Sequence, residues 1–516
     1  MAALFLVLML VVVLRLWPFC IWPGFGCSDG SFHLWRCLEI ENNDYRIPAW
    51  NGQFILGGRT CYPPLLHYMM LLFPRNSRER WAPLISPAFD LLALGIFFVV
   101  YRSGIWITST RDFIFGIACY FLSPALLQFQ ASSVYSLKAR SMGRFFLLCS
   151  FVLFYIYHTT GLHLCLAMSA LIFALMLLSS KFAVQTSIFT IPLIAIRFPM
   201  VLVVPAAGFV LAVVLSGGFY LSVLREHIVH QKMYFTKMRH YGSASSIDRS
   251  ADIRLLIDVR NLFRQPLTYA TKWIYRVTVT RLLCVAPEFF VFGGLLLTNR
   301  TRLQASGDPV EFAVLWLFGC ILGTVVSTWV KSLGEPERYL EYAVFPLVML
   351  LLQSDLPGRL PLVGVLAFYL LFYCISNSRD LWRLFEGSSS QLQVASYAEL
   401  KQYLARSAAR RILFVPMKLA LEFADDHRHK YLWASPFIEP YVCAEFWDTV
   451  FRKNRFPFPR SLPQLTHDYE IDIIAVHQTA MTEYRDQLAE VDAGFMFQSG
   501  NLYVYEIRKP GNHVNE

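Results

Sequence analysis

The chain is 516 residues long, 56% apolar and only 16% charged, with a formal net charge of +10. A soluble globular protein is roughly 45–50% apolar and about 25% charged, so this composition excludes an ordinary water-soluble fold. The basic residues are scattered through short loops such as Arg75–Arg80 and Lys138–Arg144. That pattern excludes a nucleic-acid groove and suits basic rims facing lipid phosphates.

Taken in order, the apolar runs are Leu4–Leu14, Leu84–Tyr101, Phe145–Tyr157, Leu162–Leu178, Val201–Leu221, Leu282–Leu297, Val310–Val330, Tyr342–Leu352 and Leu360–Cys374. A spanning helix needs about 20 mostly apolar residues, fewer where flanking anchors compensate. The expected fold is a polytopic α-helical membrane protein of about 10–12 spans with a small C-terminal soluble α/β domain. The first run has no basic n-region and no small-residue cleavage site before Trp17-Pro18 and Trp22-Pro23. It reads as a retained helix rather than a signal peptide. Residues 1–377 form the expected membrane domain, with a first outer loop at 20–61 and an amphipathic loop at 223–280. That second loop carries His227, His230, Lys232, Lys237, Arg239 and His240 and reads as a surface lying along headgroups.

Residues 378–516 form the expected soluble domain. Arg411–Pro416 and Tyr469–Val476 read as buried strands, and Phe495–Ile507 as a hairpin turning at Ser499-Gly500-Asn501. Tyr397–Ala409 and Thr479–Glu490 read as helices. The 11 cysteines lie mostly inside apolar runs and serve as packing residues. Cys20, Cys27, Cys37 and Cys61 fall in or near the first loop, where a disulfide depends on the compartment. None has zinc-like spacing beside histidines, so no metal is expected.

Three stretches carry candidate chemistry. The first loop reads CSDGSFHLWRCLEIENNDYRIPAW. Asp29 follows the first apolar run closely, and His33 and Arg36 recur at helical spacing on one face. From these residues alone Asp29 fits either a helix cap or a functional carboxylate at the membrane surface. The loop closes on Arg59 and Tyr62-Pro63-Pro64. Proline fixes φ and suits the first turn of a helix, while the residue before it is extended. This predicts a rigid corner into a helix over Leu65–Phe73, holding Arg59, Tyr62 and His67 at the bilayer rim. The third stretch, Gly334-Glu335-Pro336-Glu337-Arg338-Tyr339-Leu340, opens a late apolar run. Charge at such a mouth is costly and often functional, and the planar fork of Arg338 suits phosphate. Equally, Glu335 and Glu337 suit the positive end of a helix dipole.

Together the three stretches resemble the GT-C superfamily of polytopic glycosyltransferases. Tyr62-Pro63-Pro64-Leu65-x-x-Tyr68 resembles a segment of the dolichyl-phosphate-glucose glucosyltransferases. Gly334–Leu340 resembles the His-Lys-Glu-x-Arg-Phe-Leu stretch of the related mannosyltransferases. The resemblance implies a polyprenyl-phosphate sugar donor, a glycan, lipid or protein acceptor, and inverting transfer without a cofactor. It casts Asp29 as general base and Arg338 as the cation on the lipid phosphate, helped by Arg59 or His67, with Glu335, Glu337, His33 and Tyr62 around the substrate. The chain departs from the pattern in two places: Gly30 stands where many relatives have a second acid, and the late stretch lacks the His-Lys pair. The mechanism also requires Asp29 and Glu337 to face one side, so either Leu65–Phe73 or Ser187–Ile196 does not span, or two of the short runs are joined. A bacterial plasma membrane is expected, with the endoplasmic reticulum as the alternative. A transporter or flippase of a lipid-linked solute, and a non-catalytic subunit of a glycan-assembly complex, are the competing functions.

Overall fold

A computed structural model describes residues 2–21, 28–48, 50, 52–58, 60–131, 137, 139–236, 282–283, 285–297, 307–330, 333–334, 336–354, 359, 361–371, 397–415, 417–423, 428–433 and 461–508. In chain order the helices begin with α1 (Ala2–Ile21), α2 (Ser28–Asn42), α3 (Leu65–Met70), α4 (Arg75–Trp81), α5 (Ile85–Ser103), α6 (Thr110–Phe121) and α7 (Pro124–Ala131). They continue with α8 (Ala139–Thr160), α9 (His163–Leu177), α10 (Lys181–Arg197), α11 (Val203–Leu215), α12 (Phe219–Thr236), α13 (Pro287–Leu297), α14 (Asp308–Trp329), α15 (Glu337–Leu352) and α16 (Pro361–Leu371). The C-terminal part adds α17 (Ala398–Arg406), β1 (Arg411–Val415), β2 (Lys430–Leu432), α18 (Leu462–Asp468), β3 (Ile473–His477), α19 (Met481–Glu490), β4 (Ala493–Ser499) and β5 (Leu502–Ile507). Two compact units result. One comprises Met1–Gly26, Pro63–Ser222 and Ser245–Ser378, the other Cys27–Tyr62, Val223–Ala244 and Arg379–Glu516.

The first unit is helical. Helix α14 shows why it belongs in hydrocarbon. Phe318, Leu322, Val325 and Trp329 form an exposed stripe at helical spacing, with Trp329 84% exposed. Water would penalise such a stripe and lipid does not. The opposite face of α14 carries Gly319 and Gly323, a spacing that lets helix backbones approach closely. A Cβ on Gly319 would lie 2.5 Å from the Thr190 Cα of α10, and one on Gly323 would lie 2.6 Å from the Tyr339 ring of α15. Gly319→Ala should therefore destabilise the protein by about 1–3 kcal/mol, as overpacking does. A thermal melt in detergent checks this, with Gly95→Ala in α5 as control, since a Cβ there meets nothing within 4 Å.

Three stretches are long and apolar enough to cross a membrane: Arg75–Ser103, Ala139–Thr160 and Asp308–Trp329. A further pair, Pro199–Leu215 and Phe219–Val229, passes jointly across a sharp bend. Gly217 and Gly218 make that bend with φ of 56° and 84°, which only glycine adopts freely. The other apolar helices among the described residues, including α9, α13 and α16, are 10–17 residues long. Among the described residues there are thus three or four full-length spans where the sequence suggests ten to twelve over the whole chain, and several further apolar helices there are too short to count by length. Leu65–Phe73 folds as the six-residue α3, far below the length of a span.

The second unit is built on a five-stranded sheet of order β2-β1-β3-β5-β4. Strands β2, β1 and β3 are parallel, and β5 runs antiparallel to both β3 and β4. The continuous run Ile412–Val415 is fully buried, as the centre of a parallel sheet requires. The hairpin turns through Gly500 at φ 57°. Two segments expected with the membrane helices, Cys27–Tyr62 and Val223–Ala244, group instead with this unit. The first of them folds onto its sheet. Phe54 bridges Tyr431, Ile55 N donates to Tyr431 O at 2.9 Å, and Tyr431 N donates to Gln53 O at 3.1 Å. Phe32, Trp35 and Phe54 join Trp433 and the strand residues in one core.

Candidate active site

In the second unit α2 carries the early candidates. Asp29 takes the second position of this helix. Phe32 and Trp35 anchor the helix in the domain core, and Trp35 Nε1 donates to Gln53 Oε1. His33 is buried between the rings of Phe32 (5.4 Å) and Tyr62 (5.2 Å), both edge-on. Arg36 is buried, donates to Thr60 O at 3.1 Å and pairs with Glu39. Burial holds the Glu39 carboxyl above its usual range, against the opposing pull of Arg36. Asp44 and Tyr45, both at positive φ, turn the chain at the end of α2. Gly57 at φ 61° admits the Trp50 ring, 2.7 Å from where a Cβ would sit. The helix and return strand of the loop are thus rigidly tied to the sheet. Arg59, Cys27, Glu335 and residues 237–281 lie outside the described residues, as do the side chains of Cys20, Asp29 and His230.

The boundary between the units falls at Tyr62-Pro63. Pro64 is the N-cap of α3, and Leu65 N donates to Leu178 O at 2.9 Å. The proline corner therefore separates two independently packed parts of the chain. His67 in α3 is fully buried. Arg78, also buried, donates to Met70 O and Phe73 O at 3.2 and 3.3 Å, satisfying carbonyls that the end of α3 leaves open.

Helix α15 starts after Gly334, whose φ is 86°. From Glu337 to Leu352 every residue but Arg338 is buried. The Arg338 guanidinium lies over the Phe182 ring, 5.8 Å from its centroid. Phe182 packs on Tyr339 at 4.8 Å, and Tyr339 Oη donates to Leu333 O at 3.1 Å. A cation on an aromatic face is held in place without losing its charge.

One turn on, Glu341 enters a network that sequence reasoning missed. It accepts from Arg140 at 2.9 Å and Arg144 at 3.1 Å. Arg144 also pairs with Asp90. Asp90 lies 3.7 Å from Arg15, which donates to Phe121 O at 3.0 Å. Nearby in the same unit, Ser123 Oγ and Ala125 N donate to Glu288 at 2.6 and 3.1 Å, so this acid caps α7. Charges inside the apolar runs, Arg15 and Asp90 above all, were the available signal. Among the described residues Arg140 and Arg144 thus meet Glu341 on α15, and Asp90 on α5 lies between Arg144 and Arg15.

No protein-family model matches the chain, and no curated protein matches its sequence. Solved structures do. The apo oligosaccharyltransferase of Archaeoglobus fulgidus superposes over 99% of this chain and 75% of its own length, at 11% identity and a TM-score of 0.53. The same enzyme, AglB, with an inhibitory peptide and a dolichol-phosphate gives the same coverage at a TM-score of 0.52. ArnT from Cupriavidus metallidurans bound to undecaprenyl phosphate covers 97% of both chains at 11% identity, with a TM-score of 0.46. The match shows the fold: this chain is folded like the archaeal oligosaccharyltransferase, and its helices include stretches long and apolar enough to cross a membrane.

Proposed function

We propose that the chain is a membrane glycosyltransferase that takes a sugar from a polyprenyl-phosphate carrier and passes it to a glycan, lipid or protein acceptor. The observation that carries this reading is α15, buried along its length except for one arginine seated on an aromatic ring at its mouth. A dolichol-phosphate in the archaeal structure supports the same ligand class. In the transfer, Asp29 takes the proton from the acceptor hydroxyl as its oxygen attacks the anomeric carbon. The bond from that carbon to phosphate breaks, and the phosphate leaves with the electron pair and an added negative charge. Arg338 meets that charge. His67 and Glu337, both fully buried, shape the wall rather than touch substrate, and His33 and Tyr62 brace α2.

In this reading residues 1–377 carry the reaction and the C-terminal domain orders the first loop. The integration of residues 28–62 into that domain supports this role. Both pieces then lie on one side of the membrane, so an even number of crossings separates residue 62 from residue 397. The membrane is the bacterial plasma membrane in this proposal, with the endoplasmic reticulum as the alternative.

The test is transfer of radiolabelled sugar from polyprenyl-phosphate donors by the purified protein. Arg338→Ala should lower the rate about 10²–10³-fold, and Arg338→Lys should recover part of it. Wild-type rates in Arg338→Ala would remove the phosphate role.

A further inference from the structure

On the second unit, away from α2, a groove runs between α19 and the β4–β5 hairpin. Its volume is about 480 Å³, within the range of roughly 300–1,000 Å³ typical of small-molecule sites. Phe495, 58% exposed, forms one wall with Tyr503 and Tyr505. The Phe495 ring lies 5.7 Å from Tyr505 at 67° and 6.4 Å from Tyr503 at 50°. The Tyr505 hydroxyl donates to Met481 Sδ at 3.8 Å, which fixes that ring. Arg485 of α19 lines the opposite wall. Arg485 is exposed and interacts electrostatically with Tyr505 across the groove.

We propose that this groove binds an acidic sugar residue, one bearing a carboxylate. Angled aromatic faces suit the C–H faces of a pyranose ring, because their negative quadrupole meets polarised hydrogens. Phenol hydroxyls can bond sugar hydroxyls, and an exposed guanidinium offers two parallel donors to a carboxylate. The inference rests on the glycosyltransferase reading only for biological sense: the groove would hold part of a glycan acceptor.

Binding is measured by saturation-transfer NMR on the full chain in phosphatidylcholine nanodiscs. The probes are methyl β-glucuronide and methyl β-glucoside. The glucuronide should bind more tightly. Phe495→Ala should weaken both probes about tenfold, and Arg485→Ala should weaken the glucuronide alone by a similar factor, since each removes one strong contact. Phe495 is too exposed for its truncation to open the core, and an unchanged melting temperature verifies this. Equal binding of the two sugars, or no effect of either substitution, overturns the proposal. So does binding to phosphatidylglycerol vesicles that Phe495→Ala abolishes without any glucuronide binding, since the groove would then be a lipid contact. Sugar transfer is assayed in parallel. A groove that fails to bind in a chain that still transfers sugar refutes this inference alone.

Discussion

Asp29→Asn lowers sugar transfer by about 10²–10⁴-fold, the range expected when a general base is lost, while the melting temperature stays unchanged. Asparagine matches aspartate in shape but cannot accept the acceptor's proton. The substitution sits at the second position of α2, where asparagine is tolerated. The helix itself is fixed by Phe32 and Trp35 in the domain core, so the change does not loosen the loop. Single-turnover transfer with donor in excess separates chemistry from binding. A variant that transfers at the native rate would rule out Asp29 as base, whatever the fate of Arg338.

Arg144→Leu costs about 3–5 kcal/mol of stability, as does the loss of one partner from a buried ion pair. This guanidinium joins Asp90 on α5 to Glu341 on α15. Without it, Asp90 keeps only Arg15 at 3.7 Å and Glu341 only Arg140 at 2.9 Å. Two carboxylates then face each other in an apolar interior with less cationic cover. Replacing Arg15, Asp90, Arg144 and Glu341 together with methionine, leucine, leucine and methionine should recover much of the loss, because no fully buried charge of the network is then left without its partner. Unfolding in detergent, followed by circular dichroism, reads both. If the single variant is as stable as the native protein, the network holds no stability.

The C-terminal domain was legible because its signals are local. Ile412–Val415 is a continuous apolar run, and Ser499-Gly500-Asn501 is a turn sequence between alternating strands. Both fold as expected, with the hairpin strands at Ala493–Ser499 and Leu502–Ile507. The proline corner was legible for the same reason, since Pro63 and Pro64 restrict their own backbone. What could not be read depends on distant partners. Phe54 pairs with Tyr431 across most of the chain, and nothing in the loop marks that partner. The Arg15–Asp90–Arg144–Glu341 network joins four helices, each of which looks like an apolar run with a stray charge. The Gly319 and Gly323 spacing was visible in the sequence but becomes meaningful only with Thr190 and Tyr339 opposite. Asp29 and Arg338 came from motif resemblance; the structure adds the helix position of the first and the Phe182 seat of the second.

The bridge from Phe54 to Tyr431 also sets an order of events at the ribosome. The two residues are 377 positions apart, so at about 5–20 residues per second the early segment waits roughly 20–75 s for its partner. During that interval Phe32, Trp35 and Phe54 have no core to enter and present a sticky aromatic surface. A nascent chain stalled before residue 431 would expose that surface indefinitely, making it a natural point of chaperone capture.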